Sequence, residues 1–393
     1  MRIIIFTPQI HTLGGAERLA VELAEELNRR AGIQADLLSM RSEDYPGTEA
    51  AKERLLANGI RSIRFFGRNP CAGWRGFVGD VQRLRRILIE GKYDVIETSQ
   101  MVPSTLAAWA VRGLGISHAA GLHRIYQRNV HRGARVFFFR WSCRSSRPTS
   151  FYGISQEVSR QWIQFSGVQQ SRVRTIYNSV NSAYFQAKPE RELLAQELNL
   201  NSGSQLLLFV GRPLQSKGLD TLIEAVKPML KNNTTTLLVV GTGALDGFSR
   251  KPVQGNQFED GVKHTLSADA LSHAVRWLGW RDDIPTLMAS ADVLVHPTLD
   301  EGFGLVVAEA LAVGLPVVAS SVGGIPEVVE GTDSILVPPG DPLALRGAIH
   351  SVIRRTPLEI EASRIKGSVR AERFRTERRT DNLLDYFREL TAL

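Results

Sequence analysis

The chain has 393 residues, of which 43% are apolar and 22% are charged. This length predicts two domains of roughly 150 to 200 residues each, and the composition excludes a disordered or fibrous chain. No apolar run approaches the roughly 20 residues of a membrane span, and residues 1–7 carry no cleavage site, so neither a span nor a signal peptide is expected. The only cysteines, Cys71 and Cys143, lie in no metal-binding spacing and favour a reducing cytoplasm over a disulfide-stabilised secreted protein.

Positive charge is concentrated in the first half of the chain. The net charge of +8 divides into +11 over residues 1–200, with 28 basic and 17 acidic side chains, and −3 over the remainder. Residues 101–150 contain eight arginines and no acidic residue. Such an asymmetry indicates an anionic partner; nucleic acid, an anionic membrane surface and a phosphorylated ligand all fit it.

Short apolar runs alternate with amphipathic stretches of helical length in the first half. The runs predict strands at Ile3–Thr7, Ala35–Met40, Ser62–Phe66, Asp94–Thr98, Ala119–Leu122, Phe151–Ile154 and Val173–Tyr177. The stretches predict helices at Ala16–Ala31, Thr48–Asn58, Arg75–Glu90 and Ser104–Gly113. This alternation is typical of crossover units that build a parallel sheet with helices on both faces.

A polar stretch over residues 178–204 predicts a link to a second domain, where the alternation resumes. Strands are predicted at Leu206–Val210, Leu237–Val240, Val275–Leu278, Val293–His296, Val317–Ala319 and Ile335–Val337. Helices are predicted at Gly218–Leu230, Leu305–Val313, Ala344–Ile353 and Phe374–Leu393. Residues 243–264 show neither the helical nor the strand period of apolar residues, and they predict an extended loop, a candidate lid.

The sequence therefore predicts an α/β protein with two doubly wound, Rossmann-like domains. Residues 1–180 form the first domain and residues 181–370 the second, and a terminal helix over residues 371–393 is expected to pack back on the first. We expect the ligand in a crevice between the domains that faces the carboxyl ends of the strands.

Glycines follow two of the predicted strands. Gly14-Gly15 opens a helix, where a backbone without side chains lets a ligand approach the helix amides; a plain strand-to-helix turn explains the pair equally well. Gly241 ends the strand at Leu237–Val240, but the following glycines miss the G-x-G-x-x-G spacing. A nicotinamide-dinucleotide enzyme is therefore disfavoured.

Two basic residues follow the strand at Leu206–Val210. Arg212 and Lys217 lie between that strand and a helix, at the carboxyl edge of the sheet. A guanidinium and an ammonium placed there can bind one diphosphate, and a lysine before a helix is unfavourable unless an anion is present. The alternative is a solvated pair of surface cations.

Two glutamates flank the start of the helix predicted from Leu305. Glu301 precedes it and Glu309 lies inside it, and Gly302 and Gly304 expose amides that can bind phosphate or sugar oxygens. Glu309 stands among apolar neighbours, where a carboxylate is costly to bury without partners. Ribose hydroxyls would satisfy it, and so would an arginine on the helix face.

Together these motifs resemble those of family 4 retaining glycosyltransferases of the GT-B architecture, over nearly the whole chain. The resemblance runs from Gly14-Gly15 through Asn178–Asn181 and Arg212/Lys217, and its most specific part is the Glu301–Glu309 pair, E-x7-E. That pair is followed by the stretches Gly314–Ser320 and Gly323–Glu327. The turn at Asn178–Asn181 departs from the family, which more often has Asn-Gly-Val-Asp there.

The resemblance implies a role for each matched residue. The catalytic residues would be Arg212 and Lys217 on the donor's diphosphate, Glu301 on the donor sugar, and His123 near the reacting carbon. Gly14 and Gly15 would close over the pyrophosphate. The other donor-binding positions would be Gly241, Gly302, Phe303, Gly304, Leu305, Val306 and Glu309, with Glu309 on the ribose. His123 has a structural alternative, and His11 is a weaker candidate for the acceptor side.

The implied reaction moves a hexose or related sugar from a UDP- or GDP-sugar to a glycan or lipid-linked acceptor, in cell-surface polysaccharide, lipopolysaccharide or glycolipid synthesis. The family retains the configuration of the sugar, and the departing phosphate itself takes the acceptor proton. No cofactor and no metal are expected, because cations and helix amides can stabilise the leaving charge and the chain has no D-x-D motif.

The arginine-rich part of the chain includes an aromatic segment. Residues 132–147 set Phe137, Phe138, Phe139 and Trp141 among five arginines, which suits an anionic membrane surface but also an ordinary packed helix with a basic edge. We expect a cytoplasmic protein associated peripherally with the inner face of the membrane. Alternatives are an epimerase or hydrolase of nucleotide sugars with the same fold, or a basic nucleic-acid-binding protein, although no nucleic-acid-binding module is recognisable.

Overall fold

The computed structural model describes residues 1–10, 14–44, 47–67, 74–125, 149–201, 203–232, 234–241 and 257–392. The strands in these residues are β1 Arg2–Thr7, β2 Gln34–Ser39, β3 Ile63–Phe65, β4 Val95–Ser99, β5 Ser117–Leu122, β6 Thr149–Gly153, β7 Val173–Thr175, β8 Gln205–Val210, β9 Thr235–Val240, β10 Val275–Gly279, β11 Val293–His296, β12 Val317–Ser320 and β13 Ile335–Val337.

The helices in the same residues fall into three groups along the chain. The first group is α1 Gly15–Asn28, α2 Thr48–Ala57, α3 Trp74–Gly91, α4 Met101–Ala110 and α5 Gln156–Ser166. The second is α6 Ser182–Gln186, α7 Arg191–Glu197, α8 Leu219–Leu230, α9 Gln257–Ala268, α10 Ile284–Ser290, α11 Leu305–Ala312, α12 Ile325–Val328, α13 Pro342–Ile353 and α14 Pro357–Ala371. The last is α15 Thr376–Ala392.

The chain divides into two compact units. The first unit is Met1–Ser179 together with Thr376–Leu393, and the second is Val180–Arg375. Each unit contains one parallel sheet whose strand order reverses beside its first strand, and the carboxyl ends of the strands at such a reversal form the usual ligand edge of this architecture.

The first unit has a seven-stranded sheet in the order β3-β2-β1-β4-β5-β6-β7. Its central strand β1 is buried on both faces, which explains its uninterrupted apolar run. Ile3 and Ile5 lie in the core shared with α1 and α15, whereas Ile4 and Phe6 lie in the core shared with α3 and α4. Alternate residues of one strand therefore hold opposite layers of helices.

The second unit has a six-stranded sheet in the order β10-β9-β8-β11-β12-β13. Leu207 and Phe209 of β8 lie in a core shared with α8 and α13. Helices α11 and α14 pack closely together, because Gly367 lets α14 approach Leu311 of α11. The prediction of two doubly wound parallel sheets is confirmed, and the predicted strands lie within a few residues of those observed.

The predicted loop over residues 243–264 is wrong in its last part. Helix α9 begins at Gln257, and Phe258, Val262 and Leu266 pack one face of it on the second unit's core. Those three residues recur at every fourth position, which is a helical period among otherwise polar residues. Residues 243–256 lie outside the described residues, as do His11 and the segment 132–147.

The predicted link over residues 178–204 also contains helices, the short α6 and α7. Arg191 of α7 fixes this stretch to the second unit, since its guanidinium binds both carboxylate oxygens of Asp292 at 3.0 and 2.9 Å and donates to the Ser204 carbonyl at 2.6 Å. Tertiary packing rather than helical periodicity therefore orders this stretch.

The chain returns to the first unit through α15. This helix begins at Thr376, after α14 has ended at Ala371, and its Leu383 and Phe387 are fully buried in the first unit's core. The Tyr386 hydroxyl donates to the Phe151 carbonyl at 3.0 Å. None of the helices in the described residues combines the length and apolar character needed to cross a bilayer.

Candidate active site

In the second unit, the loops that follow β8 and β11 meet at the reversal of strand order. Gly218 has a φ of +68°, and a Cβ there would overlap the Pro297 carbonyl oxygen. The Ser216 carbonyl accepts from the Leu299 amide at 2.9 Å and from the Thr298 hydroxyl at 3.1 Å. The two loops therefore form one packed edge, and the residues on them have fixed neighbours.

Lys217 and Glu301 form an ion pair across this edge. Lys217 Nζ lies 2.8 Å from Glu301 Oε2, and His296 Nε2 lies 3.4 Å from the same oxygen. His296 ends β11 and is almost completely buried. Burial opposes ionisation of Glu301, but the hydrogen bond to His296 and the charge of Lys217 outweigh it and hold the pKa of this carboxyl well below its ordinary value. Glu301 is therefore a carboxylate at neutral pH.

Gly323, in the loop after β12, holds the Glu301 loop from the other side. Its φ is +54°, and a Cβ there would overlap the Glu301 carbonyl oxygen. Gly323 belongs to the stretch Gly323–Glu327 that resembles the family, but the sequence predicted no role for it. Its role is to let the backbone of Glu301 come within contact distance.

The amino end of α11 has no side-chain cap. Gly304 precedes the helix with a φ of +94°. Gly302 and Phe303 are buried, and the Phe303 ring packs edge-on against Phe374 at 5.3 Å between centroids. Leu305 and Val306 are half-buried. The first amides of α11 therefore lie at a rigid helix start with positive dipole character, which favours an anion.

Glu309 lies one turn further into α11 and is only 3% exposed. It stands among the buried residues Ala308, Ala310 and Leu311, as the apolar sequence around it indicated. A carboxylate in such surroundings needs polar partners.

Arg212 and Gly241 lie at the same edge, after β8 and at the end of β9. Gly241 has a φ of +126°, and a Cβ there would overlap the Gly211 carbonyl oxygen. Arg212 is exposed, and its side chain makes no hydrogen bond or ion pair with any residue that the structure describes. This guanidinium is therefore available to a ligand, whereas Lys217 already has a carboxylate partner.

The remaining predicted residues, Gly14, Gly15 and His123, belong to the first unit. Gly14 precedes α1 with a φ of −67°, which any residue can adopt. A glycine matters at this position because it has no side chain, not because the backbone needs a positive φ. His123 follows β5, and its ring packs edge-on against Tyr152. Burial, with the charge of Arg379 added to it, lowers the pKa of His123 to about 3, so the imidazole is neutral.

Gln100 is a feature of the first unit that the sequence did not reveal. It follows β4 with a φ of +115° and a ψ of 151°, a backbone region that residues other than glycine avoid. Its side-chain amide donates to Glu17 Oε1 of α1 at 2.6 Å. The hydrogen bond joins the turn after β4 to the first turn of α1, next to Gly14 and Gly15.

Replacing Gly323 tests whether close backbone packing holds the Glu301 loop. Gly331→Ala is the matched control, because Gly331 also has a positive φ, +76°, but open space around it. We expect Gly323→Ala to lower the free energy of unfolding by about 1–3 kcal/mol more than Gly331→Ala, the usual cost of overpacking. Chemical denaturation measures both variants, and equal effects would show that Gly323 does not support this loop.

Two family models match most of the chain. Residues 13–184 match the model described as Glycosyltransferase Family 4, and residues 204–355 match the model described as Glycosyl transferases group 1. The chain is 29% identical over 366 residues to an uncharacterised glycosyltransferase of Methanocaldococcus jannaschii, covering 88% of this chain and 87% of the relative. It is 27% identical over 352 residues to the phosphatidyl-myo-inositol mannosyltransferase of Mycobacterium leprae, covering 88% and 85%.

A further relative aligns over a shorter span. The D-inositol 3-phosphate glycosyltransferase of Nocardiopsis dassonvillei is 29% identical over 242 residues, which cover 61% of this chain and 55% of that protein. The chain thus spans only about half the length of this relative.

Solved structures share the fold along the whole chain. A glycosyltransferase from Rickettsia africae superposes with a TM-score of 0.82 at 17% identity, covering 99% of this chain and 98% of that one. Anabaena HepE in complex with UDP superposes with a TM-score of 0.81 at 23% identity, covering 99% and 100%. Identities this low establish the architecture alone, and the family models and the sequence relatives add the family. The chain belongs to the family 4 glycosyltransferases and has the GT-B architecture.

Proposed function

We propose that this glycosyltransferase transfers a hexose from a UDP- or GDP-sugar to a glycan or lipid-linked acceptor, with retention of configuration and without a metal. The observation that carries the donor proposal is the grouping of Arg212, Lys217 and Glu301 at the strand-order reversal of the second sheet, beside the amino end of α11. Anabaena HepE, which shares the fold, has been solved with UDP, with UDP and glucose and with UDP-glucose.

Each charged group then has a distinct task. The exposed guanidinium of Arg212 suits bidentate binding of phosphate oxygens, and Lys217 supplies a compact point charge. Because Lys217 is paired with Glu301, a diphosphate would offer the lysine a second anionic partner. The carboxylate oxygens of Glu301 can then accept hydrogen bonds from sugar hydroxyls. Glu309 would do the same for ribose.

The reaction needs no protein base in this proposal. The bond between the anomeric carbon and the β-phosphate oxygen breaks, and its electron pair stays on the phosphate. Arg212, Lys217 and the first amides of α11 stabilise that charge. The acceptor hydroxyl attacks the anomeric carbon from the same face and gives its proton to the departing phosphate oxygen.

The acceptor is assigned to the first unit, which contains Gly14, Gly15 and His123. Its excess of basic residues favours an acceptor with phosphate groups or one held at an anionic membrane. Helix α3 supports the membrane proposal within the described residues, because Val78, Gln82, Arg86 and Ile89 are exposed along one face of it. The structure whose title describes WaaG as a glycosyltransferase involved in lipopolysaccharide biosynthesis shares the fold, with a TM-score of 0.71.

Arg212→Ala separates donor binding from stability. Since the Arg212 side chain is exposed and makes no described contact, its loss should change the unfolding free energy by less than about 0.5 kcal/mol. Losing a charge-assisted bond of about 1.5–3 kcal/mol should weaken binding of UDP or GDP roughly ten- to hundredfold by calorimetry. Arg354→Ala, an exposed arginine after α13, is the control and should bind normally. Unchanged binding in Arg212→Ala would remove Arg212 from the donor site.

Product analysis tests the reaction itself. Incubation with a panel of UDP- and GDP-hexoses, a chelator and a glycan or lipid-linked acceptor should give a product whose anomeric proton coupling matches that of the donor. An inverted product would exclude retention, and activity that is lost with the chelator and restored by a divalent cation would exclude metal independence. Sugar release or epimerisation with the donor alone would favour the same-fold alternatives.

Vesicle flotation tests the membrane proposal. The protein should float with vesicles containing anionic lipid and remain behind with vesicles of neutral lipid, and salt should weaken the association because surface charges are screened. Equal behaviour with both vesicle types would contradict a charge-driven membrane contact.

A further inference from the structure

A buried polar cluster lies at the carboxyl ends of β4 and β6 in the first unit. Glu97 and Tyr152 are both fully buried. Glu97 Oε1 accepts from the Tyr152 hydroxyl at 2.6 Å and from the Ser99 hydroxyl at 2.9 Å. Glu97 Oε2 has no hydrogen-bond partner among the described residues. A buried carboxyl with one unsatisfied oxygen is costly, which points to a role for Glu97 other than stability.

His123 lies next to this cluster. Its ring meets that of Tyr152 edge-on, with centroids 6.2 Å apart and planes at 78°. A Cβ on Gly121 would lie 2.6 Å from the Tyr152 hydroxyl oxygen and 2.7 Å from His123 Nε2, so both polar atoms border the same small space. His123 Nε2 is buried and, within the described part of the chain, has no hydrogen-bond partner.

Arg379 contributes the cation of the cluster. It comes from α15, is only 3% exposed, and donates from Nη1 to the Leu19 carbonyl at 3.1 Å. Its charge acts on Glu97, Tyr152 and His123. Because a guanidinium stays protonated at every accessible pH, it permanently disfavours a second cation beside it.

The charged and titratable groups of this cluster come from three elements: Glu97 from β4, Tyr152 from β6 and Arg379 from α15. Burial raises the pKa of Glu97, although the Tyr152 hydrogen bond, the Arg379 charge and the Ser99 hydrogen bond work against that shift. Burial raises the pKa of the Tyr152 hydroxyl as well. Burial thus shifts both oxygen acids toward their neutral forms.

We propose that Glu97, Tyr152 and Arg379 are positioning residues for His123: Tyr152, held by Glu97, fixes the orientation of its ring for sugar transfer, and the Arg379 guanidinium disfavours a second cation beside it. A neutral imidazole both donates and accepts a hydrogen bond, whereas an imidazolium only donates, so the neutral ring suits a sugar hydroxyl. This inference rests on the proposed function in placing His123 at the reacting sugar. It adds three residues that do not themselves contact the substrate.

The protonation state is measured on the protein without donor or acceptor. In nitrogen-15 imidazole spectra, with the His123 signal identified by its loss in His123→Asn, we expect a neutral ring from about pH 8 down to about pH 5. Arg379→Gln should move the His123 titration upward by about one pH unit or more, and Arg379→Lys, which keeps the charge, should restore the original behaviour. Arg388→Gln is the matched control, since Arg388 lies on the same helix, is exposed and pairs with Asp385.

Two results of these spectra would overturn the proposal. One is a His123 that titrates near the ordinary value of about 6.5 in the unaltered protein. The other is an Arg379→Gln protein that keeps its fold, judged by the unchanged signals of the other histidines, and shows the original His123 titration. These spectra are recorded without substrate. The expected titration can therefore be absent in a protein that has transferase activity, and it can be present in a protein that has none.

Tyr152→Phe tests orientation without changing charge, and it also serves if Arg379→Gln does not fold. Removing the hydroxyl frees the Tyr152 ring from Glu97 and should lower kcat roughly tenfold or more with little change in the donor KM. The profile of kcat/KM against pH should stay flat to a lower pH in the unaltered protein than in Arg379→Gln. An unchanged kcat in Tyr152→Phe would show that the cluster does not position His123.

Discussion

The close approach of the loops after β8 and β11 is the constraint on which the second unit's candidate site depends. Parallel strands that flank the reversal of strand order bring both loops to one edge of the sheet. Gly218 and Gly323 allow contacts there that no side chain would permit, with Pro297 and Glu301 respectively. Only this packing lets Lys217 reach Glu301, 84 residues further along the chain. The ion pair is thus a product of backbone contact.

The pKa of one glutamate is lowered in the second unit, whereas the pKa of another is raised in the first unit. In the second unit, Glu301 stays ionised because a lysine and a histidine face its carboxylate directly. In the first unit, Glu97 receives neutral hydroxyl donors and lies deeper, so burial decides and raises its pKa. The first arrangement suits a site that exchanges charged partners with a diphosphate. The second suits a site that handles sugar hydroxyls through uncharged groups.

Most of the strands could be predicted from the sequence, and so could the position of Arg212, Lys217 and Glu301 after strands of the second sheet. A strand buried on both faces, such as β8 with its run Leu206–Val210, has an apolar pattern that little else produces. Helix α9 was missed because the residues that pack on the core, Phe258, Val262 and Leu266, are sparse among polar ones. The ion pairing of Lys217 was missed for a different reason. Residue spacing predicts at which edge of the sheet a side chain lies, but it does not predict which neighbouring side chain it contacts.

The sequence by itself determined the two doubly wound sheets and the order of the motifs along them, because hydrophobic periodicity and glycine placement are local properties of the chain. It also determined that Arg212, Lys217 and Glu301 follow strands of the second sheet and that Glu309 lies inside the next helix. Only the tertiary structure decided the surroundings of His123, since Glu97, Tyr152 and Arg379 come from separate elements of the chain. Burial and charge at that point are sums over distant residues, and no local pattern contains them.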